Sequence, residues 1–419
     1  MDRSAKDAGE TRRPSFWDAF RDPRLALMLG FGFASGLPNP LTGSTLTAWL
    51  GSLEVDLTTI GLFAAVHLPY NFKFVWAPLL DRFRLPFLGR RRGWMLLTQL
   101  VLVVGVGALG SLDPRSAPFA VALLAFGAAF ASASQDIVID AYRTELLPAA
   151  ERASGTALFV AAYRVALIAA GAGALILSDR VSWTVVYWLL AALMGVGVVT
   201  TLLAPAPPAA RPGPRSLREA VVEPFREFLK RPQAPALLAI LMLYKAGDVV
   251  AGHLLIPFLQ ELGFSNTEVG AVLKGLGLGA TVLGSLLGGG LVAKWGLKRS
   301  LLVFGVLQAV ANVAYAVLAT VGESHALMTV AIALDNLMNG MGTAAFVALL
   351  MTLCDVRYTA TQYALFSSLM TVPGRLFGMG SGWLAAQAGW PAFFLLTIVA
   401  AAPALALLLR VDLEREPAP

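Results

Sequence analysis

The sequence predicts an all-α integral membrane protein of twelve spanning helices, arranged as two six-helix halves. Three observations predict it. First, the 419-residue chain is 57% hydrophobic and 14% charged, where a soluble domain is roughly 45–50% apolar and about 25% charged. Second, mean hydropathy is +0.70, and the apolar residues come in runs near the roughly 20 needed to cross a bilayer as a helix. Third, Lys and Arg gather in alternate loops, as the positive-inside rule requires of a multiply threaded chain.

The spans fall at 24–50, 57–79, 94–111, 117–147, 154–178, 183–204, 233–261, 266–293, 300–321, 325–353, 361–388 and 390–410. Several are long for a straight crossing, which implies tilt or a break. In span 1, Pro38 and Pro40 precede the polar run Thr42-Gly43-Ser44-Thr45, and proline removes a helix donor. The basic loops are the amino-terminal tail, the 2–3 loop (Arg82, Arg84, Arg90, Arg91, Arg92), the centre and the 8–9 loop (Lys294, Lys298, Arg299). These loops and both termini are expected on the cytoplasmic side. The chain divides into a tail (1–23), a first bundle (24–204), a linker (205–232), a second bundle (233–410) and a closing tail (411–419). The linker opens with the stiff, proline-rich APAPPAARPGPR. SLREAVVEPFREFLKRP then reads as a short amphipathic helix on the membrane surface. Residues Met1 to Arg24 are polar, so the first apolar run reads as a span, not a cleaved leader.

Several classes are set aside. One cysteine, Cys354, and dispersed His67, His253 and His325 give neither a disulfide framework nor a metal cluster. No cofactor is expected beyond a coupling proton. The +6 net charge lies in loops on one side, which argues against nucleic acid. There is no Walker A sequence and no Gly-x-Ser-x-Gly elbow, so ATP drive and an enzyme are not expected. Two six-helix halves about a central loop are a transporter plan, with the substrate between the halves near the midplane.

Intramembrane charges are costly and mark function or structural pairs. In FASASQDIVIDAYRTE, Asp136, Asp140 and Arg143 share one helix face at i, i+4 and i+7. Asp136 and Asp140 repel when both are ionised, which suits proton coupling; the plainer reading is a fixed network with Arg143. By depth, Asp136 is the coupling candidate, whereas Asp140, Arg143 and Glu145 approach the gate loop. Lys73 joins that network or snorkels. Arg164, about 16 Å into span 5, is a clamp for a substrate carboxylate or a partner of Asp136 or Asp140. In the second half, Lys245 and Asp248 at i, i+3 neutralise each other or exchange partners beside Tyr244. Asp335, about 15 Å into span 10, is the most isolated midplane acid. Asn336 and Asn339 follow it, and Lys274 and Arg375 are its natural counter-charges or contacts for substrate carboxylates. Glycines at 171–173, 275–279, 284–288 and 378–382 imply close helix approach.

Two loops echo each other: LLDRFRLPFLGRRRG (79–93) and GGGLVAKWGLKRS (288–300). The first, with Asp81-Arg82 and then Gly89-Arg90-Arg91-Arg92, resembles the cytoplasmic loop motif of the major facilitator superfamily, with Leu85–Leu88 inserted. It is expected to work as a gate latch built on Asp81, Arg82 and Arg90. FASGLPNPLTGSTLTAWL (33–50), VDLTTIGLF (55–63), LPYNFKFVWAPLLDRF (68–83), SQDIVIDAYRTELL (134–147), LYKAGD (243–248) and GMGTAAFVALLMTLC (340–354) are similar to AmpG-type muropeptide permeases. The resemblance runs from about residue 16 to 410. It implies a major facilitator fold in the bacterial inner membrane and proton-driven uptake of anhydromuropeptides, monomeric and embedded in lipid. A disaccharide wants amides, hydroxyls and aromatic faces, for which Asn39, Thr42, Tyr70, Asn71, Gln135 and Tyr163 are candidates. Trp49 and Trp183 fit interface belts better. The competing expectations are an acetyl-CoA-type carrier and, outside transport, an assembly or sensor protein on the same fold.

Overall fold

The structure is a computed structural model, and it describes residues 22–53, 63–207, 216–231, 233–370 and 381–413. Among the described residues, nine helices are long and apolar enough to cross a membrane. They are Gly89–Gly110, Pro118–Leu146, Ala149–Ser178, Trp183–Leu203, Ala234–Glu261, Glu268–Trp295, Leu297–Val321, His325–Leu353 and Trp390–Arg410. These are spans 3–10 and 12 of the sequence pattern. Span 1 is broken into Pro23–Gly36, Pro38–Thr42 and Ser44–Ser52, as Pro38, Pro40 and Gly43 dictate. Span 2 is a run of short helices, Phe63–His67, Leu68–Phe72, Lys73–Val75 and Ala77–Arg82. The described residues of span 11 are helical over Thr359–Leu369 and over 381–388. The linker forms the helix Leu217–Leu229, capped by Ser216, whose side chain accepts from Glu219 N.

Spans 5 and 8 each carry one turn of π-helix, Ala169–Gly173 and Val272–Gly277. Such bulges occur within α-helices, often at functional sites. A second interruption divides span 7 between Leu243 and Ala246, with Lys245 at the joint.

The glycines separate into two groups. A Cβ at Gly284 would lie 2.0 Å from Leu337 O, and one at Gly340 2.2 Å from Thr281 O, so spans 8 and 10 touch backbone to backbone. Gly171, Gly275 and Gly279 meet nothing within 4 Å and are not contact glycines. The 378–382 cluster lies largely outside the described residues. Trp49 is buried, stacked on Trp183 at 6.0 Å, so it packs the first half and is not part of an interface belt.

The apolar core shows where the halves meet. One cluster, from Leu37 to Met194, belongs wholly to the first half, and another, from Val250 to Phe394, wholly to the second. Two further clusters cross between halves, through Ala360 and Ala364 in one and Ala153 in the other. Those crossing residues lie at the end of the molecule that carries the linker, called here the linker face. The halves are joined there.

Candidate functional site

The linker-face seal is built on Asp81, which is fully buried. Span 2 ends just after it, at Arg82. Its carboxylate points across the seam to the start of span 11. It accepts hydrogen bonds from Ala360 N (3.3 Å), Thr361 N (2.7 Å) and Thr361 Oγ1 (2.7 Å). A helix start offers unpaired N–H groups and a partial positive charge, so a carboxylate fits there. Arg91 completes the cluster: its Nη2 reaches Asp81 Oδ1 at 2.8 Å and Glu145 Oε1 at 2.6 Å. Arg90 approaches Glu145 at 3.5 Å.

Arg82 is not in this network; its guanidinium lies over the Phe83 ring. Nor does Arg143 pair with Asp81. The insertion 85–88 delays the helix restart to Gly89, which brings Arg91, not Arg82, beneath Asp81. The sequence pattern starts span 3 at residue 94 and leaves Arg91 in the loop, whereas the helix begins at Gly89; which of the five loop arginines turned inward was not readable either.

Arg143 instead binds Asp140 at 2.6 Å and donates to Tyr363 Oη, on span 11, at 3.1 Å. Its guanidinium sits 4.0 Å from the centre of the Phe159 ring. Nε and Nη1 are buried without hydrogen-bond partners. Further seam contacts are Arg152 Nη1 to Thr352 Oγ1 (3.1 Å) and Ser154 Oγ to Gly289 O (3.4 Å).

Behind the seal lies a cavity of about 180 Å³ between the halves. Asp136, Asp140, Arg143, Tyr163 and, from the second half, Tyr363 line it. Asp140 and Arg143 are therefore cavity residues, and only Glu145 of that stretch belongs to the latch. Asp136 Oδ1 is buried without a hydrogen-bond partner; the cations acting on Asp136 are Lys73 and Arg143. Lys73 makes no ion pair with the latch among the described residues. Arg164 Nε is also buried and unpartnered, and Arg164 makes no ion pair with Asp136 or Asp140 among the described residues. Its backbone neighbour Tyr163 stacks on Phe159 at 6.4 Å.

Of the other predicted contacts in the first half, Gln135 and Thr42 are spent on packing, whereas the Tyr70 hydroxyl is buried without a hydrogen-bond partner among the described residues. Gln135 is fully buried and donates to Ala34 O at 3.1 Å; Thr42 Oγ1 donates to Pro38 O at 3.0 Å. Tyr70 stacks on His67 at 5.6 Å with its hydroxyl beside Ser132 and Thr42. The carbonyl of Asn39 faces His67. Asn71, in Leu68–Phe72, is half-buried.

The second half holds another buried polar cluster. Lys245 Nζ donates to Gln308 Oε1 at 2.9 Å and Asn339 O at 3.4 Å, with Asp248 at 3.8 Å. Neutral acceptors hold it closer than any acid does. Asp335 Oδ2 accepts from Tyr315 Oη at 3.1 Å, and its field reaches Lys245. Gln308 gave no signal in the sequence; an amide in an apolar helix is ambiguous until its neighbour is known. Gly342 makes room for the pair, since a Cβ there would lie 2.7 Å from Gln308 Oε1. Asn336 bonds Ile332 O and Thr281, and Asn339 Oδ1 accepts from Thr343. Tyr244 donates to Leu301 O and stacks on Phe346 at 5.2 Å, so it packs the bundle. Arg375 and the Lys274 side chain lie outside the described residues.

Two helical bundles, sealed at one end over a cavity lined by buried charges, define a membrane transporter of the alternating-access kind. The Major Facilitator Superfamily model matches residues 25–379 and 254–419. Two structures of the Escherichia coli fucose:proton symporter FucP superpose with TM-scores of 0.72 each, at 13% and 12% identity. They cover 93% and 94% of this chain and 98% and 100% of theirs, the second in the outward conformation. The anhydromuropeptide permease of Escherichia coli K12 is 47% identical over 93% of this chain and 80% of its own length. The chain belongs to the major facilitator superfamily and, within it, to the family of that permease.

Proposed function

We propose that the protein imports anhydromuropeptides, disaccharide cell-wall fragments with or without a peptide, from periplasm to cytoplasm. The 47% identity to the anhydromuropeptide permease over 93% of the chain carries this reading. The geometry is compatible with the entry step. The seal lies at the linker face, which the basic loops would put in the cytoplasm, and the cavity with its charged lining lies behind it.

In the cycle, the far side admits substrate and a proton, the halves rock about the cavity, and the Asp81 seal parts to release substrate inward. Arg164, with an unpartnered buried Nε, receives a substrate carboxylate, for which guanidinium offers two parallel donors. The coupling proton is taken by Asp335 or Asp136. Protonating Asp335 removes an acid that attracts Lys245, leaving the ammonium to its neutral acceptors or to substrate. No cofactor takes part. The protein acts as a monomer in the inner membrane with both termini cytoplasmic.

The test is counterflow of labelled anhydromuropeptide in proteoliposomes. Import is expected to follow an imposed proton gradient and to resist competition by acyl-CoA. Absence of counterflow would leave a non-transporting role, and inhibition by acyl-CoA would point to an organic-anion carrier. In the Asp335→Asn variant, uptake that still followed the gradient normally would remove Asp335 from coupling.

A further inference from the structure

The linker helix Leu217–Leu229 has two faces of different use. One packs on the bundle. Ala220 and Phe228 are buried, and Phe228 meets Phe366 at 4.9 Å. Gln362 Nε2 donates to Pro224 O at 3.0 Å and to Glu227 Oε2 at 2.8 Å, while its Oε1 accepts from Asp355 N at 2.6 Å. Arg231 holds the two oxygens of Glu227 at 2.8 and 3.0 Å and donates to Leu353 O at 2.9 Å. Gln362 lies between Thr361, which binds Asp81, and Tyr363, which binds Arg143. One turn of span 11 therefore fastens the latch, the linker helix and the cavity arginine.

The other face is uncovered among the described residues. Val221 (46%), Phe225 (41%) and Leu229 (61%) are exposed at i, i+4 and i+8, with Val222 (46%) beside them. Arg218, Arg226 and Lys230 are exposed along the same helix end to end. Glu219 and Glu223 lie on the same side of the helix as Arg226 and Lys230 and offset part of this charge, Glu223 through a 3.4 Å surface pair with Arg226, which contributes little; Arg218 lies beside the apolar stripe. At the same end of the bundle, Leu203 (74%) and Leu409 (66%) are apolar residues left for lipid. An apolar stripe with basic side chains at the edge of a lipid-facing belt matches the interface of an anionic bilayer, where acyl chains take the stripe and headgroup phosphates the cations.

We propose that the linker helix seats on anionic phospholipid and, through the Glu227–Gln362 clasp, makes closure of the linker face depend on that lipid. Seating holds the helix where Gln362 meets it, so the closed arrangement of span 11 is favoured when the surface is anionic. The proposal does not depend on which solute is carried, and its test uses none.

The full chain, with Cys354→Ser, carries a polarity-sensitive fluorophore at Val222→Cys. It is reconstituted in phosphatidylcholine alone or mixed with phosphatidylglycerol. The expected result is a blue shift that grows with phosphatidylglycerol and reverses in high salt. A variant with Arg218, Arg226 and Lys230 changed to Gln should need markedly more anionic lipid, each cation being worth about fivefold in binding to the surface. In parallel, spin labels at Arg84→Cys, on the exposed 2–3 loop, and Arg299→Cys, exposed in the first turn of Leu297–Val321 in the other half, report the linker-face distance. The closed population should rise with phosphatidylglycerol, and Gln362→Ala should abolish that rise while keeping the blue shift. Equal immersion in both lipids, or no immersion in either, overturns the anionic seating. A distance distribution indifferent to lipid overturns the link to the gate.

Discussion

Replacing Asp81 by Asn should unlatch the linker face, and the size of the effect can be worked from the contacts. Only interactions that cross the seam bear on the closed-to-open ratio. The Asp81–Arg91 pair lies within the first half and persists in both states. What is lost on opening is the carboxylate's hold on Ala360 N, Thr361 N and Thr361 Oγ1. Asn keeps one acceptor oxygen but presents an NH₂ where two N–H groups already point. The loss is about one charge-assisted hydrogen bond, ~1.5–3 kcal/mol, together with a buried anion at a helix start, up to ~2 kcal/mol. A total near 3 kcal/mol corresponds to roughly 150-fold in the ratio. Thr361→Val removes only the hydroxyl contact, about 1 kcal/mol and roughly fivefold. Pulsed electron resonance between labels at positions 84 and 299, in a Cys354→Ser background, measures the populations. A change below threefold for Asp81→Asn would refute the assignment of Asp81 as the seam latch.

Gly284→Ala should force spans 8 and 10 apart, because its Cβ would fall 2.0 Å from Leu337 O; a destabilisation of about 1–3 kcal/mol should appear as a lowered melting temperature in detergent. Arg164→Gln should raise KM for a carboxylate-bearing substrate by about tenfold or more, with little change for a neutral analogue; equal effects on both would remove the clamp role. A double-mutant cycle for Asp81 with Arg143 should give coupling within ~0.5 kcal/mol of zero, since the two do not touch, while Asp81 with Thr361 should couple by ~1 kcal/mol or more.

The two-bundle plan, the breaks at Pro38 and Pro40 and the linker helix were all legible in the sequence. Each rests on local chemistry: runs of apolar residues, proline's missing donor, and an amphipathic period after a stiff linker. The presence of costly charges at Asp136, Arg164, Lys245 and Asp335 was legible for the same reason, because a charge in an apolar run is conspicuous whatever its partner. Partners were not legible. The face shared by Asp136, Asp140 and Arg143 was visible, yet the same helix sends Glu145 to the latch and Arg143 to Tyr363. Both contacts depend on side chains from elements far along the chain.

Sequence by itself determined that the chain lives in lipid and which residues it can least afford to leave unsatisfied. Those are properties of single segments against a uniform solvent. Only the tertiary structure decided that Arg91 rather than Arg82 serves Asp81, that Tyr244 and Gln135 are spent on packing, and that Gln308 holds Lys245. It also decided that the halves meet at the linker face. A buried charge is satisfied by whatever the fold brings within about 3 Å. In a two-bundle protein those neighbours mostly come from other helices, 63 residues away for Lys245 and Gln308 and 280 for Asp81 and Thr361, distances across which sequence periodicity carries no information.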